Sequence, residues 1–339
     1  MRPGGRGSGV PCVMTAVWLA AIAPTSAARA APPAYGALVE QYRSGDADAA
    51  VAALIEWNRT RLAREAGPGR LPDDPAIRAA AIALHTEIAI RNTSTPLMPV
   101  HLEIAWSGVA GLDASLATLP FRRAWYATAI DYLIHRAALL RAGAIVKRLP
   151  RDVAEAPETR VVVGLYHETM ADAASTAPVA VQERAVAARH YRAALAGNPR
   201  LVEARLRLGR VLVLLGRTGE AIAELDRVAS ETSDPAVTYL ARLFVGEAYE
   251  RTGRIAESMR SYRSAVELVP DGDAAHLALG RALLESGDRL AAADAAIRLL
   301  NRSSPDARRP ERDPWWNYRR GLLSPPELGL VRMREVVRR

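Results

Sequence analysis

Residues 237–270 read VTYLARLFVGEAYERTGRIAESMRSYRSAVELVP, and this 34-residue stretch decides the fold. Its apolar residues recur at three- and four-residue steps, the period of a helix buried along one face. Thr252-Gly253-Arg254 interrupts the pattern with glycine, the residue that most readily closes a helix. Two helices joined by a short turn follow from this. Gly246 sits inside the first of them, where glycine costs roughly 1 kcal/mol relative to alanine.

The same register recurs on both sides. Gly209 precedes Gly246 by 37 residues, and Gly280 follows it by 34. Twelve residues after each glycine stands a small residue: Ala221, Ser258 and Ala292. Four further on come Leu225, Tyr262 and Ala296, and three beyond those Val228, Ala265 and Leu299. Leu215-Gly216-Arg217 and Ser286-Gly287-Asp288 repeat the turn. Three helices that accept the same cost at one register have a packing reason for it. Antiparallel helices approach closely where both present small side chains, so each glycine is expected to face the small residue twelve positions on.

This pattern resembles the tetratricopeptide repeat, whose unit reads large-x2-Leu-Gly-x2-Tyr, then Ala-x3-Phe-x2-Ala, then Pro. The match is closest over residues 202–305, with Asp234-Pro235 closing a unit three residues longer than the family length. The resemblance implies an all-α fold, a right-handed αα-superhelix of antiparallel helix pairs. It further implies a non-catalytic scaffold that binds a protein or peptide.

Degenerate units precede the clear ones. Ala187, Tyr191, Ala194 and Pro199 keep second-helix spacing, with Val163-Gly164-Leu165 on the partner helix and roughly eleven extra residues between. Ala138, Ala142, Ile145 and Pro150 repeat it, with Trp125 and Tyr126 at first-helix positions. Tyr42 to Asp46, then Ala50, Leu54 and Trp57, read as a turn and second helix. Residues 75–90 and 100–109 also carry helical periodicity. The expected organisation is therefore a signal peptide over 1–30, a degenerate helical region over 31–200, repeats over 201–305 and a tail over 306–339.

Export is the second expectation. Arg2 and Arg6 open the chain without an acidic residue, an apolar run extends from Cys12 to Ala23, and Ala28-Arg29-Ala30 offers a cleavage site. The apolar run is shorter than the ~20 residues that span a bilayer. Cleavage would place the mature chain in the periplasm or outside the cell, in contact with the envelope, and would leave no transmembrane segment. It would also remove Cys12, the only cysteine, leaving no disulfide, thiol nucleophile or thiolate ligand.

Charge excludes one class of partner. The net charge is +8, of which Arg2, Arg6 and Arg29 supply three. Residues 301–339 hold ten arginines against five acids, so the body from 31 to 300 is neutral on balance. A single lysine, Lys147, stands beside 44 arginines. A nucleic-acid binder needs a basic face and a reading motif, and the body has neither.

Catalytic and metal-ligating patterns are absent, and no cofactor is expected. His167-Glu168 begins a zinc-helix motif, but Ala171 stands where the second histidine belongs. No Gly-x-Ser-x-Gly elbow, phosphate loop or dinucleotide fingerprint occurs. An enzyme would have to hide its site in the weakly matching residues 31–200. A structural helper in envelope or secretion-complex assembly is the alternative to a partner-binding scaffold.

By the resemblance, the first helix of each pair lines a concave face and presents Glu203, Leu206, Arg210, Val213, Leu243, Glu247, Glu250, Leu277, Arg281 and Leu284 to a ligand. Arg210, Glu247 and Arg281 are equally able to pair across neighbouring helices. In the tail, Asp313-Pro314-Trp315-Trp316-Asn317-Tyr318 has two readings. Trp315 and Trp316 cover the outer face of the last repeat helix, or they dock on an acidic partner or anionic surface.

Overall fold

The computed structural model describes residues 35–62, 71, 73–91, 98–112, 115, 118–301, 313–319 and 326–338. The expected signal peptide lies outside them. The described residues form helices and no strand. Antiparallel pairs follow one another: α1 (Tyr35–Ser44) with α2 (Ala47–Leu62), α3 (Pro75–Arg91) with α4 (Met98–Ala110), and α5 (Leu119–His135) with α6 (Leu139–Val146). The short α7 (Arg151–Ala154) leads into α8 (Pro157–Asp172) and α9 (Ala177–Gly197). Then come α10 (Val202–Leu214) with α11 (Thr218–Glu231), α12 (Pro235–Glu250) with α13 (Ile255–Leu268), and α14 (Asp273–Glu285) with α15 (Arg289–Asn301). The chain ends with α16 (Pro314–Arg319) and α17 (Pro326–Arg338). The all-α repeat solenoid is thus present, and the eleven extra residues before Tyr191 lengthen α8 and α9 instead of forming a long loop.

One local device makes the turns. Gly45, Gly216, Gly253 and Gly287 all have positive φ, and the next residue's N–H reaches back to a carbonyl five residues earlier. Arg217 bonds Leu212, Arg254 bonds Tyr249, and Asp288 bonds Leu283 at 2.9–3.0 Å. Only glycine enters this left-handed region without steric cost. Ala137, with φ 54°, stands at the same place between α5 and α6, with Ala138 bonded to Leu133. An alanine there costs about 1 kcal/mol. Ala137→Gly should therefore raise the urea midpoint, with a gain of about 1 kcal/mol; a variant no more stable than the parent refutes the shared-turn account.

The glycines within the helices pack differently from the expectation. A Cβ on Gly209 would lie 2.5 Å from Leu225 Cγ, and one on Gly246 would collide with the ring of Tyr262. The close partner is the large residue sixteen positions on, because it crosses over the glycine. The small residues at twelve are buried beside it. Gly164 makes the same room for Tyr191, at 2.5 Å. Gly280 has Ala296 at that position, and nothing lies within 4 Å of a Cβ placed there. The two sites should therefore respond with opposite sign. Gly246→Ala should cost about 1–3 kcal/mol by overpacking, while Gly280→Ala should gain about 1 kcal/mol from helix propensity. Denaturant unfolding of both variants measures the pair, and a shared sign contradicts the packing.

Two apolar clusters form the core. The first runs from Leu38 to Leu165 and includes Leu330, Met333 and Val337 of α17. The second runs from Ala187 to Ala282 and includes Tyr318 of α16. The tail therefore joins both halves. It does not lie on the last helix: α16 packs on α12, and α17 packs on α5, α3 and α1. Leu290 and Ile297 of α15 remain exposed. The expected cap over that face is not formed by the described residues, because the apolar side chains of α16 and α17 have deeper burial available elsewhere.

Candidate functional site

The helices that carry most of the tail's contacts are the first members of their pairs. They are the helices that the repeat geometry places along one concave face. That face is the candidate site, and its floor is built on carboxylates held by tyrosine and arginine.

Asp313 begins the tail's contacts. Its carboxylate accepts from Tyr239 Oη (3.0 Å), from the Ala274 N–H in the first turn of α14 (2.9 Å) and from the Trp315 N–H (2.9 Å). It caps two helix N-termini at once, where backbone N–H groups lack partners. Pro314 at the first position of α16 follows the usual order. Trp315 then meets Phe244 edge-on at 5.8 Å, and Tyr318 meets the same ring at 5.0 Å. Arg210 lies over Phe244 at 4.9 Å and over Trp315 at 5.5 Å, in cation–π range.

Glu168 forms the centre. Tyr318 Oη donates to its Oε1 at 2.5 Å, and Tyr191 Oη donates to its Oε2 at 2.8 Å. Arg207, only 1% exposed, reaches Oε2 at 3.5 Å and bonds Glu203 at 2.9 Å. Burial pushes both phenols well above their ordinary pKa, and the Glu168 carboxylate adds to the shift. Burial alone would lower the Arg207 pKa, but Glu203 and Glu168 reverse that and hold the guanidinium charged.

A second buried carboxylate, Glu87, sits on α3. It accepts from Tyr42 Oη at 2.8 Å, pairs with Arg91 at 3.1 Å and is held by Arg334 of α17. Gly329 brings α17 against α5 so closely that a Cβ there would overlap Thr128. Farther along the face, Glu250 accepts from Tyr262 at 2.5 Å and from both ends of the Arg281 guanidinium at 2.5 and 2.6 Å. Burial raises its pKa, but these bonds outweigh burial and hold it below the ordinary value.

The residues assigned to the groove from sequence fall into four groups. Arg210 pairs with Glu247, and Arg281 with Glu250, so the cross-helix pairing is realised. Leu206 and Val213 are fully buried, which places them in the core rather than on a binding surface, whereas Leu243, nearly buried, still lines a cleft beside Leu277. Leu277, Leu284 and Trp316 are exposed; Leu277 and Trp316 border a cleft of about 650 Å³ between α12, α14 and α16. Glu203 lines a second cleft, of about 680 Å³, between α5, α8 and α17. Sequence reasoning did not find Glu87, Arg207 or Phe244, and it named Glu168 and Asp313 without the contacts they make here. His167, which began the incomplete zinc motif, bonds Glu183 at 2.6 Å and stacks on His190. Among the described residues, no group of three or more His, Cys, Asp or Glu is arranged to hold a metal ion. No described helix is long and apolar enough to cross a membrane.

Family models described as tetratricopeptide repeat match residues 181–243 and 246–308. No curated protein matches the chain. Among solved structures, MamA 41-end from Desulfovibrio magneticus RS-1 is 20% identical, with 53% of this chain and 94% of that chain covered and a TM-score of 0.44. TTC0263, a thermophilic TPR protein in Thermus thermophilus, is 18% identical, with 60% and 100% covered and a TM-score of 0.43. Repeats of this kind generally mediate protein–protein interaction. With its helix pairs, its shared glycine turns and two matched segments, the chain carries tetratricopeptide repeats over residues 181–243 and 246–308.

Proposed function

We propose that the protein is a non-catalytic, exported scaffold that binds a protein or peptide segment on its concave face, in the periplasm or at the cell envelope. One observation carries the binding role. The face already accommodates a polypeptide, residues 313–319 and 326–338, through both apolar anchors and buried carboxylates. Apolar anchors with a few placed charges are what peptide docking on a helical groove requires. The cleft beside Trp316, with exposed Leu277, leaves room for a partner next to the tail. Export rests on the basic start, apolar run and Ala-x-Ala site of residues 1–30.

A photo-crosslinking residue at Leu277, used in intact cells, tests the binding role against the same residue at exposed Arg263 on the second helix α13. Discrete protein adducts from position 277 and none from 263 are expected. Equal labelling at both, or none at either, removes the reading. A carboxy-terminal tag tests export: the recovered species should lack about 30 residues and lie outside the cytoplasm. An intact Met1 in the cytoplasmic fraction contradicts it.

A further inference from the structure

Glu87 and Glu168 do not depend on the tail for their partners. Without Arg334, Glu87 still holds Tyr42 at 2.8 Å and Arg91 at 3.1 Å. Without Tyr318, Glu168 still holds Tyr191 at 2.8 Å and Arg207 at 3.5 Å. Each carboxylate is already satisfied by the solenoid and accepts one group more from the tail. A buried carboxylate with all its partners on the solenoid would be structural only. One that leaves an acceptor position to an incoming side chain is a docking point.

The occupant has a definite chemistry. Leu330, Met333 and Val337 of α17 face inward at steps of three and four, while Val331, Arg332 and Glu335 face solvent. Arg334 adds a guanidinium to Glu87 from the flank of that stripe, and Arg338 Nη2 donates to the Gly45 carbonyl at 3.0 Å. Arg319 pairs with Asp172 at 3.3 Å. Apolar anchors at this spacing with basic side chains beside them describe an amphipathic helix lying in a groove.

We propose that the concave channel walled by α1, α3, α5, α8, α10 and α12 is a docking site for an amphipathic, arginine-bearing helix of a partner protein. Residues 313–319 and 326–338 are its intramolecular occupants, and a partner helix of the same chemistry displaces them. This deepens the scaffold reading and rests on it. The tail competes at the high local concentration of a tethered segment, so free partner binds only to the fraction of molecules with the tail released. Binding is thereby held weak until the tail is loosened.

The test uses the full chain and a fluorescent peptide of residues 313–339 as probe. Gly329→Leu wedges α17 away from Thr128, and Tyr318→Phe removes the bond to Glu168; neither alters a residue of the solenoid. The double variant should keep its helical circular dichroism and bind the peptide at least about tenfold more tightly than the parent chain. A peptide carrying Arg334→Glu should lose that gain. A folded variant that binds no more tightly, or one that loses its helical spectrum, overturns the proposal. Hydrogen exchange on the unaltered protein provides the second measurement. Amides of α16 and α17 should exchange faster than those of α10 to α13, because the tail opens while the repeats stay closed. Equal protection makes the tail a fixed part of the fold and overturns the proposal. Neither failure touches the scaffold reading, which the crosslink from position 277 tests separately.

Discussion

Glu168→Ala should destabilise the protein by about 3–5 kcal/mol, the usual result of stripping the partner from a buried charge. Arg207 is 1% exposed, and one of its terminal nitrogens already lacks a partner. With Glu168 gone, only Glu203 remains to compensate the guanidinium, from one side. The Tyr191 and Tyr318 hydroxyls, both on buried residues, lose their acceptor in the same step. A buried donor left unpaired costs about 1–3 kcal/mol, and these losses overlap instead of adding. Glu203→Ala is the control, since Glu203 is half-buried and Arg207 would keep Glu168. It should cost less, about 1–3 kcal/mol, because Glu168 still compensates the guanidinium and both tyrosine hydroxyls keep their acceptor. Urea unfolding of the two variants measures the difference. A Glu168→Ala protein within about 1 kcal/mol of the parent would mean that water replaces the carboxylate and that the site is more open than the packing indicates.

The ranking of those two glutamates cannot be read from the sequence. Both sit in helices with arginines nearby, and burial separates them. What was legible is what depends on short separations. Glycine at the helix ends, the small residue twelve positions on and the apolar period all lie within one unit, so Gly216, Gly253 and Gly287 and the paired helices follow from them. The reading of Gly246 placed the close contact four residues early, because helix crossing angle decides which residue covers the glycine. Asp313-Pro314 is a visible helix start, yet its second role, capping α14, depends on a contact 39 residues away. The bonds from Tyr318 to Glu168 and from Arg334 to Glu87 span 150 and 247 residues. No local pattern specifies which face a terminal helix will find. The amphipathic step Leu330, Met333, Val337 was the available signal that α17 had a surface to bury.

Lowering the pH from about 6.5 toward 4 should destabilise the protein through its buried histidines, before the carboxylates take part. His85 and His101 pack ring to ring, with their Nδ1 atoms 2.7 Å apart, and His85 Nε2 lies 3.0 Å from Tyr35 Oη. Burial first, and then His101, pushes His85 down to about 3; burial pushes His101 down to about 4. His190 is also lowered to about 4, by burial and then by the neighbouring His167 and arginines. The unfolded chain takes up these protons near pH 6.5, and the folded chain resists until about 3–4. Their contribution is therefore fully present above the unfolded value and is lost as the pH falls through that interval. Each histidine is worth up to roughly 1.4 kcal/mol per pH unit within it. The carboxylates held low, Glu250 and Glu257, protonate in the unfolded chain only near 4.5, so they act at the acid end of the window. Melting temperature measured from pH 7.5 to 5 isolates the histidines. His85→Gln should lower stability at pH 7.5 by loss of packing and yet flatten the decline toward pH 5, because the deepest-shifted group no longer titrates. A variant with the parent's slope would show that acid sensitivity arises elsewhere, and that the paired rings of α3 and α4 accept a proton without leaving the core.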